Sequence, residues 1–558
     1  MVVTPNGDSI KFYYNAANDL QKKFSPSDTV DYAYDSLYNL SGISDADSSL
    51  SFVYDAIGRL IQAKTNPGFL QPQTAISYTY DRNNNLLSML DPQGIVTRYL
   101  YDSLNRLTNI KDQQDQVIAH FAYDELSRRI SQALPNGITT SFSRDLKGQL
   151  LSLTHNPLSL SYAYTYDKVG NQKTKTDTEG LHSYSYDNIY RLLSASHPNP
   201  PQEQYSYDAV GNRNPSSFTY DTANRLLENS SYTYDYDNNG NLIKKTSKQD
   251  ATITTYTYDA EDRLIGVTIP TTQAIYSYDP LGRRIGKNVN GTITRYLYDG
   301  EDILLEYDGT NTLQSRYTHG PGIDEPLVME RGGQSYYYHA DALGSIITIT
   351  DSAGNVVQSY TYESFGKVSQ TGSLTQPYTY TGRELDPETG LYYYRSRYYD
   401  PDTGRFLQED PLWDTNLYAY VGNNPLNWID PWGWCGKKPW WEKFEEGYFY
   451  GTGFGQEAAE WYAQQQLETG NPLWAIPGSI ASLWTPERYQ ATGWTLITAY
   501  SFNQTFVRGA PKWAHYEHAR GPHKYPHIQL GEKRIEVPKL IIDIAKKKVI
   551  NFIKEYIF

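Results

Sequence analysis

The sequence predicts a mostly β fold. A long antiparallel sheet, built from many copies of one short unit, is followed by a small mixed α+β domain at the C-terminal end. Three observations predict it. Tyr-Asp pairs recur at a nearly fixed interval over the first three hundred residues. Tyr accounts for 53 of 558 residues, an aromatic content that a disordered chain lacks. Composition then changes abruptly: all 11 Trp lie after residue 412, and four of the ten His lie between His515 and His527.

The pairs begin at Tyr34, Tyr54, Tyr80, Tyr101, Tyr123, Tyr166, Tyr186, Tyr207, Tyr220, Tyr236, Tyr258, Tyr278 and Tyr298, and Arg144-Asp145 fills the gap after Tyr123. Most steps are 20–22 residues, the step to Tyr80 is longer and the step to Tyr220 shorter. A fixed period of this size means stacked supersecondary units. Each unit reads as strand, tight turn, strand. In Y-x-Y stretches both Tyr share one strand face, and Tyr and Thr favour strands. Asp opens the turn because its carboxylate can accept nearby backbone amides. A Gly or Asn follows, as in YDAIGRL (54–60) and YDSLNRL (101–107), where positive φ is tolerated. Arg-Leu then starts the return strand. Neighbouring units cover each other's edges. The regular Tyr are expected to pack the sheet face rather than to form a sugar-stacking site.

Charge divides with composition. Residues 435–558 carry 15 Lys/Arg against 12 Asp/Glu, and residues 1–434 carry 34 against 51. From Arg508 onward 11 basic residues face 5 acidic ones. An acidic body thus precedes a mildly basic tail, which suits an anionic partner or an ordinary solvated surface equally. The single Cys (Cys435) excludes a disulfide framework and a CxxC metal site. No run of 18 apolar residues predicts a membrane span, and MVVTPNGDSIKF has no signal-peptide pattern.

The repeat resembles the YD-repeat, or rearrangement-hotspot (Rhs), family. The resemblance sharpens over 336–433, through YYYHADALGSIITITDSAGNVVQSYTYESFGK, YTGRELDPETGLYYYRSRYYDPDTGRFLQEDP and NLYAYVGNNPLNWIDPWG. It covers roughly residues 30–434, about three quarters of the chain. It implies repeats (1–335) that spiral into a hollow, cocoon-like β-shell. It implies a repeat-associated core (336–434) that plugs one end and cuts the chain after itself. It implies a variable domain (435–558) that is a toxin held until delivery. Family members serve bacterial competition through contractile secretion systems or insecticidal complexes, and some relatives are cell-surface proteins without a toxin. The implied setting is secreted or cell-surface, with the effector delivered to a target-cell cytoplasm. The implied partners are a cognate immunity protein and a secretion-system spike or shell-completing subunit. About fourteen units precede the core, fewer than a full shell needs. The chain is therefore expected to be a C-terminal portion, an orphan cassette or half of a two-chain shell.

Aspartyl peptide hydrolysis needs two carboxylates, one to activate water and one to donate to the carbonyl. The core offers Asp400, Asp402, Asp410, Asp414 and Asp430. By resemblance, Asp410 in QEDP and Asp430 in IDPWG match the family's catalytic pair, and Arg397 in RSRYYDP matches the Arg beside them. That charge would keep one carboxylate ionised or polarise the scissile carbonyl. The family cut follows D-P-x-G and one apolar residue, usually Leu. Here the residue is Trp434, so the expected bond is Trp434–Cys435. The chain also departs from the family in lacking a Gly-rich stretch between Pro411 and NLY. Taken without the resemblance, Asp-Pro and Asp-x-x-Gly are common turn pieces. Cys435 has no nearby His to activate it and is read as incidental.

The tail reads as a Gly-rich loop and short helix (445–470), Pro-punctuated short helices (471–500) and a closing apolar-faced helix (540–558). Its informative part is KWAHYEHARGPHKYPHIQLGEKRIEVPK (512–539), where IQL and KRIEV predict a hairpin. His515, His518, His523 and His527 stand there with Arg520 and Lys524. A metal-independent ribonuclease needs an acid, a base and a cation at the phosphate, and two His with Arg or Lys supply them, with RNA as substrate. No cofactor is then required; the alternative is zinc on three of the four His. A polar surface hairpin accounts for the same residues without any chemistry. The functional expectation is a polymorphic toxin with a self-cleaving core and a nuclease effector, the alternative an adhesion protein with an inert tail.

Overall fold

The computed structural model describes residues 1–66, 68, 74–199, 202–411 and 415–434, together with the backbone of three short strands between residues 515 and 536. The chain divides into two compact units, the first of which contains all of residues 1–434 and the second those three strands. The tail segments 445–470, 471–500 and 540–558, and Cys435, lie outside the described residues.

The first unit is almost entirely antiparallel β. One ladder of twenty strands runs from Val2–Val3 to Glu203–Gln204, and a second of sixteen runs from Thr219–Tyr220 to Val368–Thr371. Within each, every strand pairs with its neighbour in sequence, so the chain meanders without a crossover (for example, Phe52 opposite Ala63, Tyr164 opposite Lys175). The break between ladders falls where the repeat spacing shortens before Tyr220. The second ladder passes residue 335 uninterrupted, since Pro326–Arg331 and Gln334–Ala340 pair with each other. Four short strands follow: Glu384–Asp386, Leu391–Tyr394, Arg397–Asp400 and Arg405–Phe406. Every residue of the two middle strands is buried. Among the described residues no helix is long and apolar enough to cross a membrane.

The repeat turn is built as its residues dictate. In YDSLNRL the Asp102 Oδ1 accepts the amides of Leu104 and Arg106 at 2.9 and 3.0 Å, and Oδ2 accepts the Arg106 Nε at 2.6 Å. Asn105 takes φ 60°, a left-handed conformation that Asn tolerates. The same position is filled by Tyr38 and Tyr190, at φ 65° and 69°, so the turn's hydrogen bonds impose this geometry even on bulky residues. The pairing register shifts at the Tyr of most pairs, as between Val53 and Tyr54 and between Thr165 and Tyr166.

Two contacts join successive units through much of the ladders. The Tyr hydroxyl reaches back to a carbonyl at the start of the previous return strand: Tyr54 to Leu40 at 2.9 Å, Tyr166 to Leu150 at 2.8 Å, Tyr207 to Leu192 at 2.8 Å and Tyr258 to Leu242 at 2.9 Å. The turn Arg reaches forward. Arg59 Nη1 donates to the Asp81 carbonyl at 2.7 Å, and its guanidinium lies 5.0 Å over the Tyr80 ring. The preceding Tyr of Y-x-Y is buried on the sheet face, as at Tyr78, Tyr164 and Tyr256. The expected packing role of the Tyr series is therefore what the structure contains.

Two measurements follow from this construction. Tyr207→Phe is expected to cost about 1 kcal/mol of stability through the lost hydroxyl bond, and Tyr207→Ala about 3 kcal/mol, read by chemical denaturation; an unchanged Tyr207→Ala protein would contradict the packing role. The turn carboxylates set an acid limit. Burial by itself would raise Asp55, Asp102, Asp124, Asp187 and Asp221, but backbone amides and the turn Arg hold each below its ordinary value. Their contribution is complete above about pH 5 and is lost as pH falls through the depressed folded values. The thermal midpoint should therefore drop below that pH, and replacing two of these Asp by Asn should flatten the drop.

Candidate active site

The buried strand Arg397–Asp400 carries the centre of the site. Arg397 is 2% exposed, and its guanidinium lies 3.6 Å over the Phe406 ring, which fixes its plane. From there it reaches four groups. Nη2 donates to Asp410 Oδ2 at 2.7 Å and lies 3.6 Å from Asp430 Oδ2. Nη1 donates to the Leu417 carbonyl at 2.9 Å, and Nε donates to the Gly433 carbonyl. A planar fork of five donors suits such a convergence, whereas a Lys could not make it. All three residues singled out from the sequence thus meet around one cation.

The chain that follows is held tightly. Asp430 Oδ1 accepts the Trp434 amide at 3.0 Å, closing a turn over Asp430–Trp434. Gly433 takes φ 72°, and a Cβ there would lie 2.4 Å from the Tyr394 carbonyl oxygen. No other residue fits without moving the turn. Ser396 Oγ lies 2.7 and 2.9 Å from the carbonyl oxygens of Trp432 and Gly433 and can donate to one or share its proton between them, and Arg395 donates to the Pro431 carbonyl. Trp434 is buried, edge-on to Trp432 with ring centroids 6.3 Å apart. The larger ring in place of the expected Leu is thus accommodated. The peptide that ends at Trp434 leaves the described residues beside Asp430.

The remaining core Asp do other work. Asp400 lies 3.6 Å from Lys245, and Asp402 pairs with Lys367 at 2.8 Å. Asp414 lies outside the described residues. In the tail, His515 and His527 fall on described strands, while His518, His523, Arg520 and Lys524 lie outside the described residues. The predicted hairpin is present as His527–Leu530 paired with Lys533–Glu536.

Sequence reasoning missed the groups that hold the site in place. Four Asn of the NLYAYVGNNPLNW stretch each grip a repeat turn. Asn416 donates to the Asn212 side chain at 2.7 Å and Asn423 to the Gly211 carbonyl at 2.9 Å; Asn424 reaches Asn171 at 3.3 Å, and Asn427 accepts the Gln172 amide at 2.7 Å. The short spacing of four Asn was the available signal. A second buried cation anchors the small sheet to the ladder: Arg284 pairs with Asp386 at 2.6 Å and Glu384 at 2.7 Å. At the end of the first ladder, Glu203 accepts the Ser364 amide at 3.1 Å and His197 Nε2 lies 2.9 Å from the same oxygen.

Comparison with known proteins bears on this geometry. The Teneurin YD-shell family model matches residues 36–183 and 167–426. The tRNA nuclease WapA of Bacillus subtilis is 33% identical over 382 residues, which cover 66% of this chain and 14% of WapA. The tRNA3(Ser)-specific nuclease WapA of Bacillus spizizenii is 33% identical over 355 residues, covering 61% and 13%. Double-stranded DNA deaminase toxin A of Burkholderia cenocepacia is 28% identical over 317 residues, covering 49% and 22%. Among solved structures, that of TcdB2-TccC3-Cdc42 superposes with a TM-score of 0.59 at 19% identity, over 77% of this chain and 27% of that one, a likeness of fold. The chain thus spans less than a quarter of the length of these curated relatives.

Removing the central cation tests the site as a structural unit. Arg397→Met leaves Asp410 and Asp430 without their shared partner and is expected to cost about 3–5 kcal/mol. Adding Asp410→Asn should restore part of that loss, and a double-mutant cycle showing no coupling would contradict the hub.

Proposed function

The chain belongs to the YD-repeat (teneurin and Rhs) shell family, and from that premise we propose that it belongs to a polymorphic toxin. In this reading the repeat body and its core carry residues 435–558 as a nuclease-class effector, freed by self-cleavage at Trp434–Cys435. The observation that carries the reading is the convergence of Asp410, Asp430 and the Trp434 amide around Arg397.

The chemistry follows from the charges. Asp410, in the closer ion pair with Arg397, is the ionised carboxylate and takes a proton from water. The water oxygen bonds to the Trp434 carbonyl carbon. Asp430, as the carboxylic acid, donates its proton to the carbonyl oxygen, giving a diol; as the carbon–nitrogen bond breaks, Asp410 passes its proton to the Cys435 amine and Asp430 takes one back from a diol hydroxyl, leaving the Trp434 carboxyl. Arg397, through the Gly433 carbonyl and both carboxylates, holds the turn in the reactive position. Buried, preorganised charge of this kind acts without reorganising when the reaction occurs.

The nuclease class is supported by the WapA relatives, which are named as tRNA nucleases. A toxin of this kind calls for a cognate immunity protein and for a delivery or shell-completing subunit, with secretion of the body and action of the effector in a target cell.

Intact mass of the purified chain, measured beside Asp410→Asn and Asp430→Asn, tests the cleavage. Two species meeting at Trp434–Cys435, absent from both variants, are expected. A single uncut species in all three would overturn self-cleavage. Induction of the whole chain in a bacterial cytosol tests the effector: growth arrest is expected, and unimpaired growth would favour a structural adhesion protein.

A further inference from the structure

The two ladders of the first unit line a cavity of about 190 Å³. The first ladder contributes Met89, Tyr99 and Ile110 and the second Leu304 and Tyr317, so much of the wall is apolar or aromatic. Two carboxylates and an imidazole from the second ladder interrupt it, those of Asp299, Asp302 and His319. The lining includes no Lys or Arg.

The three polar groups are held as acceptors. The hairpin joining Thr292–Asp299 to Asp302–Asp308 sets Asp299 opposite Asp302, which keeps the two carboxylates side by side. Asp299 Oδ1 accepts the Tyr78 hydroxyl at 2.5 Å, and Oδ2 is left for another donor. Among the described residues Asp302 faces only a long ion-pair contact, 3.9 Å from Oδ1 to His319 Nδ1, beyond hydrogen-bond reach. The His319 side chain is 10% exposed. Its Nε2 lies 2.9 Å from the Ile303 carbonyl oxygen, which can only accept, so Nε2 carries the proton and Nδ1 of the neutral ring presents a lone pair. That buried nitrogen has no hydrogen-bond partner. The guanidinium groups whose charge reaches the carboxylates are engaged elsewhere: Arg283 pairs with Asp279 at 2.7 Å and Arg395 with Asp324 at 2.8 Å. Burial therefore dominates, and it pushes both Asp299 and Asp302 above the usual carboxylate range.

Buried carboxylates without a cation are costly, and the cavity asks for a donor that brings positive charge. A primary ammonium has three N–H donors, one for each acceptor, and aromatic faces attract it further. A guanidinium is a planar fork of five donors, more than the site can match. We propose that this cavity is a binding site for a small primary amine, with Asp299, Asp302 and His319 accepting from its ammonium group and Tyr99 and Tyr317 packing its alkyl stem. An apolar cavity of about 150 Å³ admits benzene, so this one takes a stem of about four or five carbons. The acceptors stand on the second ladder and Met89, Tyr99 and Ile110 on the first, so a bound amine adds contacts to both and stabilises the body.

The test is calorimetric titration of the purified full chain with n-butylamine. Butan-1-ol, which lacks the charge, and tetramethylammonium, which lacks N–H donors, are the controls. Butylamine is expected to bind with a dissociation constant of about 1 mM or tighter and to raise the thermal midpoint. Both controls should bind at least about ten-fold more weakly. Asp299→Asn and Asp302→Asn keep the side-chain shape and should each weaken butylamine about ten-fold or more. Circular dichroism establishes that each variant folds, and should one fail, the comparison of probes on the unmodified chain decides. Protonating a carboxylate or His319 removes an acceptor, so affinity should fall as the pH is lowered from about 8 to about 5. Binding of N-acetyl-lysine methylamide without binding of butylamine would overturn the free amine in favour of a Lys side chain. Butylamine binding that is absent, that only equals butanol's, or that is undiminished in both folded variants would overturn the site.

Discussion

A phenol hydroxyl donated to a backbone carbonyl one repeat earlier is the interaction on which the ladders depend. A two-stranded hairpin is marginal by itself. Here most hairpins are fastened backward by the Tyr of their Tyr-Asp pair, as Tyr166 is to Leu150, and many also forward by a turn Arg, as Arg59 is to Asp81. The Asp between them fixes the turn from which the Arg departs. The three residues of the repeat signature are thus one device. Tyr is needed rather than Phe because its ring packs among neighbours while its hydroxyl donates to that carbonyl.

The core works by a different economy of contacts. Its small sheet is buried except at Leu385, and its polar groups are gathered around buried guanidinium groups. Arg284 ties the small sheet to the second ladder through Asp386 and Glu384, and Arg397 gathers Asp410, Asp430 and two carbonyls. Burying such charges is favourable only when every partner is in place. The four Asn that grip repeat turns supply the remaining constraint. The ladders thereby fix the segments 408–411 and 427–434, and with them the separation of two carboxylates that lie twenty residues apart in sequence. The site is as rigid as the body that frames it.

That dependence explains why the site stands at a chain boundary. Gly433, whose added Cβ would strike the Tyr394 carbonyl, delivers Trp434 to Asp430 in one orientation. In the proposed self-cleavage, a peptide bond at the end of such a turn would be presented to Asp410 and Asp430 by the fold alone, with the proximity and orientation that an ordinary protease must obtain by binding.

The repeat was legible in the sequence because strand alternation, Asp turns and positive-φ residues are local, and each acts within a few residues of itself. The end of the first ladder was not read from the sequence, which predicted one long sheet, although it coincides with the shortened spacing before Tyr220. Arg397, Asp410 and Asp430 were legible through the family motif, and the tail hairpin through its alternation. The Asn clamps were not, because each partner lies some two hundred residues away and a lone Asn carries no sign of what it will bind. The sequence by itself therefore determined the units and the chemistry available to them. Only the tertiary structure decided which charges meet, because convergence around a buried guanidinium is set by long-range packing that no local pattern encodes.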